Sequence, residues 1–291
     1  MNDDRVLKPE DYVEPACVLC GEPYGAAPTV KAIPQQRIIE KMNEYMSRRD
    51  YAGAERHLLY WLEEARLGRD QGGELMLRNE LVGHYRKVGN REQAFLHAKK
   101  ALRLVGELGF AGTVSAGTTY TNVATAYNAF GANEEALVIF QKAKEAYEAS
   151  PHTAPELLGG LYNNMALVLV AAGRFPEADA LYEKALSVMA DVPGGCLEQA
   201  ITYLNMADAR TAEYGPEEAE GAVNDCLEKA SALLLTGDAP HDGYYAFVCE
   251  KCAPTFSYYG WFLDAEDLNR RAETIYRENG EAAARDVERS V

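Results

Sequence analysis

The chain has 291 residues, 47% of them hydrophobic, and sets 45 acidic side chains against 29 basic ones for a formal charge of −16. That balance argues against nucleic acid and anionic membrane surfaces as direct partners and favours basic ones. No apolar run approaches the ~20 residues of a membrane span, and the acidic start MNDDRVLKPEDYVEPA has no apolar signal core, so a cytoplasmic location and no membrane partner are expected.

In chain order, residues 1–35 hold Pro9, Pro15, Pro23, Pro28 and Pro34 and have no helical period, which predicts an extended N-terminal arm. Residues 36–279 read as a repeat domain of six helix pairs, at about 36–66, 74–106, 116–149, 157–190, 197–235 and 243–279. Between them lie turn and loop sequences such as GRDQGG (68–73), SPHTAP (150–155), VPGG (192–195) and TGDAPHDG (236–243). Residues 280–291 form a charged tail that continues as a short helix or frays. The second helix of each pair is amphipathic, as in EEALVIFQKAKEAYEA (134–149), with a charged solvated face. The first helices differ: TTYTNVATAYNAF (118–130) and LLGGLYNNMALVLVAAG (157–173) carry no charge at all.

One spacing recurs: a Gly, an Ala five residues on, and another Ala seven beyond that. It occurs at Gly89, Ala94, Ala101; Gly131, Ala136, Ala143; Gly173, Ala178, Ala185; and Gly260, Ala265, Ala272. Gly takes the left-handed turn that ends one helix. The two Ala share one face of the next helix and let the paired helices approach closely. Weaker copies keep Ala219 and Cys226 with Gly215 one residue late, and Ala54 and Trp61 with Arg49 where Gly is expected. The leading second-helix Ala falls at 54, 94, 136, 178, 219 and 265.

With this signature the chain resembles the tetratricopeptide repeat (TPR) family over roughly residues 36–279. Its step exceeds the usual ~34 residues and is similar to the extended repeats of kinesin light chains. HEAT and armadillo repeats have comparable length, but the Gly-Ala-Ala signature fits them poorly. The stretches LLYWLEEA, LYNNMALVLV and GYYAFVCEKCAPTF are also similar to bacterial proteins of this class, a likeness that brings no activity with it. The resemblance implies an all-α, right-handed α-superhelix (TPR solenoid) of about six helix-turn-helix repeats, with the first helices lining the concave surface.

Counting within each repeat places Asn122, Asn164 and Asn205 at one position of three consecutive first helices, each two residues before a small Ala. In some family members an Asn here contacts the backbone of a bound peptide, and an amide offers both donor and acceptor for that purpose. The same Asn could instead bond neighbouring helices within the stack. Beside them, Asn79 and Arg86, then Thr118, Thr121, Thr125 and Asn128, then Asn163, Asp208 and Glu250, are expected to face the groove. Arg78, Arg86, Lys41 and Lys87 make a poor match to the clusters that clamp a terminal carboxylate, so an internal extended segment or a helix is the expected ligand. Pro254 falls inside the sixth first helix and is expected to kink it.

Cys17 and Cys20 have the spacing of half a zinc site, and Cys249 and Cys252 could supply the other half. Six cysteines in so long a chain read more simply as reduced thiols, and the expectation is no metal and no cofactor. No nucleophile motif, phosphate loop or clustered His appears, so no catalytic residue is assigned. The sequence therefore reads as a non-enzymatic module that binds a protein or peptide partner in its concave groove. The alternatives are a sensor of a small signalling peptide or metabolite, or a scaffold that self-associates.

Overall fold

The computed structural model describes residues 30–236 and 239–289, and these form twelve α-helices with no strand among the described residues. The chain divides into two compact units, residues 1–77 and 78–291, with the boundary inside one helix. All six expected helix pairs are present. The expected arm lies mostly outside the described residues.

In the first unit α1 (Gln35–Ser47) packs against α2 (Tyr51–Leu67), burying Ile38, Met42, Ala54, Leu58, Leu62 and Ala65. Arg49 takes the left-handed turn, at φ 56°, where the other repeats carry Gly. Asp50 caps α2 by accepting from the Gly53 N–H at 2.8 Å. Trp61, standing where an Ala is expected, is half-buried. The segment before α1 is pinned: Lys31 N–H donates to the Gly68 carbonyl at 2.8 Å, and buried Asp70 accepts from Ile33 N–H at 3.0 Å and Gly73 N–H at 2.8 Å. One carboxylate thus satisfies the first turn of the next helix and the incoming chain together.

That next helix, α3 (Gln71–Lys87), spans the boundary. The second unit continues with α4 (Arg91–Glu107), α5 (Val114–Ala129), α6 (Asn133–Ala149), α7 (Pro155–Ala171) and α8 (Phe175–Met189). It ends with α9 (Cys196–Tyr214), α10 (Pro216–Thr236), α11 (Gly243–Tyr258) and α12 (Phe262–Arg289), the last running into the stretch set apart as a tail. The turns explain the repeated Gly. Gly89, Gly131, Gly173 and Gly260 have φ between 71° and 82°. The residue after each returns its N–H to the carbonyl five residues back, as in Asn90 to Tyr85 at 2.8 Å and Ala132 to Tyr127 at 2.9 Å. The pair α9–α10 departs from this because Pro216 follows Gly215 and has no N–H to return. Gly215 instead turns at φ 84°, ψ 162° and leads straight into α10.

The repeated alanines are the tight contacts. Ala94, Ala101, Ala136, Ala143, Ala178 and Ala185 are completely buried, as are the first-helix alanines Ala124, Ala166 and Ala207. Large side chains fill what remains, chiefly Phe140, Tyr147, Tyr182, Tyr245 and Phe256. Two hydrophobic clusters run through the unit, one from Val82 to Ala209 and one from Cys196 to Ala272, and Met206 packs against both. α11 is one continuous helix through Pro254, which lies exposed.

Candidate protein-interaction site

The first helices of successive pairs lie side by side: α5 contacts α7, α7 contacts α9, and α9 contacts α11. Their registers can therefore be compared directly. Two residues before the close-packed Val82, Ala124, Ala166, Ala207 and Ala253 stand Glu80, Asn122, Asn164, Asn205 and Lys251. One residue earlier stand Asn79, Thr121, Asn163, Leu204 and Glu250.

The earlier position belongs to the seam between helices. Asn79 of α3 donates its amide to Thr119 of α5 at 3.0 Å, and buried Asn163 of α7 donates to Thr202 of α9 at 2.7 Å. In both cases the threonine hydroxyl passes its own proton to the carbonyl one turn back, Ser115 or Glu198. Amide, hydroxyl and carbonyl form a relay in both cases, although Asn79 Oδ1 is buried without a partner. Between α5 and α7 the equivalent pair is Thr121 and Leu161, and Thr121 satisfies itself on Gly117 O at 2.9 Å. Asn79 and Asn163 thus spend an amide proton inside the stack, although the sequence places them at the groove.

Asn122 and Asn164 are different. Both are half-buried, and neither makes a hydrogen bond among the described residues. Thr125 and Asn128 of α5 share that condition. Asn205 reaches Asn163 Oδ1 at 3.5 Å, a weak contact at the limit of hydrogen bonding. Thr118 is tied to the Val114 carbonyl and the Tyr147 hydroxyl, at 3.2 and 3.0 Å.

The two ends of the row carry charge. Glu80, which sequence reasoning passed over, is half-buried, and burial pushes its carboxyl above the ordinary range. Its signal was available: it stands 42 residues before Asn122. Arg86 is exposed near the end of α3. At the other end Asp208 of α9 accepts from the Tyr259 hydroxyl at 2.9 Å, and desolvation pushes its carboxyl up against the lowering effect of that bond. Glu250 is exposed and receives the Tyr276 hydroxyl at 3.4 Å. Next to Asp208, Arg210 stands where other first helices carry Tyr85, Tyr127 or Phe256. Its guanidinium grips Asp179 of α8 through two bonds of 2.9 Å and reaches Glu213 at 3.1 Å.

Cys17 and Cys20 lie outside the described residues. Cys249 and Cys252 are buried in α11, and burial pushes the Cys252 thiol up to about 12. Among the described residues no group of three or more His, Cys, Asp or Glu is placed to hold a metal ion. No helix there is long and apolar enough to cross a membrane.

Two models of the tetratricopeptide repeat match the chain, over residues 117–150 and 157–232. Those stretches coincide with the helix pair α5–α6 and with α7 through most of α10. Over these stretches the chain carries tetratricopeptide repeats, the framework of a protein-interaction repeat scaffold. Among solved structures it is similar to BtubC (BKLC) from P. vanneervenii, at 18% identity and a TM-score of 0.48, over 86% of this chain and 93% of that one. It is also similar to the nearly identical TPR-like repeats assigned to a kinesin light chain of Podosopora anserina, at 17% identity and a TM-score of 0.48, over 70% and 96%. No curated protein matches the chain.

Proposed function

We propose that the second unit holds an extended segment of a partner protein along the row formed by Asn122 of α5, Asn164 of α7 and Asn205 of α9. The observation that carries this reading is the contrast between neighbouring amides. Asn163 is consumed by the seam at 2.7 Å, whereas Asn122 and Asn164 have no partner among the described residues. A half-buried amide with nothing to bond is costly unless water or a ligand completes it. An extended backbone presents N–H and C=O groups repeatedly and can meet a ladder of such amides without any demand on its sequence. Thr125 and Asn128 would add side-chain contacts at the α5 end, with Thr118 and Thr121 beside them.

The test is retention of a sequence-randomised pool of ten-residue peptides on immobilised protein, wild type against Asn122→Ala plus Asn164→Ala. Two lost neutral hydrogen bonds, each worth about 0.5–1.5 kcal/mol, predict a fall of roughly tenfold with an unchanged melting temperature. Equal retention by both proteins would remove the row from the site.

A further inference from the structure

We propose that the far end of the row, where α9, α10 and α11 meet, is a pocket for the cationic side chain of the bound segment, the ammonium of a lysine or the guanidinium of an arginine. This rests on the groove reading above and adds to it the chemistry of the partner. The cavity there measures ≈ 310 Å³, at the small end of the range for ligand pockets. Its lining includes Thr211 of α9, Glu220 and Asn224 of α10, and Tyr258 and Tyr259 at the end of α11.

The two tyrosines stand edge to face, with ring centroids 4.9 Å apart at 82°. Tyr258 is 75% exposed, an unusual place for a large ring at a helix end. Tyr259 is fixed. Its single hydroxyl proton goes to the Asp208 carboxylate at 2.9 Å, the stronger, charge-assisted acceptor, and Thr211 Oγ1 lies 2.9 Å from the same oxygen. A phenol that donates to a carboxylate has a more electron-rich ring, which strengthens its attraction for a cation. Asn224 is held in turn by the Trp261 indole N–H at 3.2 Å. The lining is thus braced before any ligand arrives.

The charges point the same way. Neither Asp208 nor Glu220 has a basic group within ion-pair distance among the described residues. The nearest candidate, Arg210, is already committed to Asp179 and Glu213. Lys229 lies over the Tyr203 ring at 5.4 Å. Glu217 and Glu218 add negative charge in the first turn of α10. Asp208 is exposed and stands outside the lining itself, and it adds its charge to the pocket through the Tyr259 hydroxyl that it holds. An acidic side chain would meet like charge here.

The test uses four pools of extended peptides that differ only in a central lysine, arginine, norleucine or glutamate. Two quantities are read: total retention, and the ratio of the lysine or arginine pool to the norleucine pool. The expected ratio is about tenfold at low salt, falling severalfold at 0.5 M salt as screening sets in. It should collapse towards one in Glu220→Gln, in Asp208→Asn and in Tyr258→Ala, an exposed position where truncation does not threaten the fold. A ratio near one in the wild type, or a ratio untouched by all three variants, overturns the pocket. Total retention unaffected by Asn122→Ala plus Asn164→Ala overturns the row and leaves the pocket to stand on its ratio. If no pool is retained, titration with Nα-acetyl-lysine methylamide decides. Amide shifts confined to α9–α11 sustain the pocket, and their absence overturns it.

Discussion

Along the seam between successive first helices, Asn79 and Asn163 each give an amide proton to a threonine of the next helix. One residue further along, Asn122 and Asn164 give theirs to nothing among the described residues. Both regions use the same side chain on the same helices, and a rotation of about 100° separates closure from availability. The seam is largely closed: its amides and threonine hydroxyls are paired across the helices, with Asn79 Oδ1 the buried exception, so it specifies how one repeat sits on the next. The row is unfinished in the same currency of hydrogen bonds. In a repeat protein built by stacking near-identical units, function has to enter at positions that the stack leaves unsatisfied.

The contrast can be attacked first where an interior polar group titrates. His97 of α4 is buried, stacks on Tyr85 with ring centroids 5.6 Å apart, and has Arg78 Nη1 at 3.5 Å from its Nδ1. Burial, then the charges of Arg78 and Lys100, push it down to about 4. A histidine depressed in the folded state contributes stability that is present above its unfolded value of about 6.5 and lost as pH falls towards 4. Between pH 7 and 5 the second unit should lose about 2 kcal/mol, and about 3 kcal/mol by pH 4. Urea denaturation at several pH values checks this. In His97→Gln the loss between pH 7 and 5 should nearly vanish, and a persistent slope there would mean the ring is not the group responsible.

A second, smaller effect separates seam from row directly. Asn163→Ala removes the amide that donates to the Thr202 hydroxyl and opens a gap in the buried seam, and should cost about 1–3 kcal/mol. Asn164→Ala, one residue away, should stay within about 0.5 kcal/mol of the wild type. Equal losses would mean that Asn164 is also built into the stack, and the groove reading would lose its main support.

The turns were legible in the sequence because left-handed backbone excludes most side chains, and Gly89, Gly131, Gly173 and Gly260 announce it. The paired alanines were legible because close helix approach excludes bulk. The first-helix row could be counted out, but its division into seam and groove could not. Whether Asn163 or Asn164 turns inward depends on Thr202, 39 residues on, and on a repeat step that shortens from 42 to 41 before α9. The bond from Tyr259 to Asp208 spans 51 residues and the grip of Arg210 on Asp179 spans 31. Neither has a periodic signature, because each departs from the repeat: Arg210 replaces an aromatic position, and Tyr259 belongs to the turn after α11.

The smallest predicted effect runs opposite in sign. Tyr182 of α8 is fully buried, yet its hydroxyl has no hydrogen-bond partner, unlike Tyr245, whose hydroxyl donates to the Leu234 carbonyl at 3.0 Å and accepts from Arg271 at 2.8 Å. A stranded hydroxyl lowers stability by an amount that its removal recovers. Tyr182→Phe keeps the ring and should raise stability by about 1 kcal/mol, whereas Tyr245→Phe, which breaks two bonds, should lower it by about as much. A fall in Tyr182→Phe would place a water between that hydroxyl and the acidic groups of α8 and α9, since only a bonded hydroxyl costs stability on removal. The region beneath Asp208 would then be wet, its carboxylate better solvated, and the advantage of a cation in the adjoining pocket correspondingly smaller.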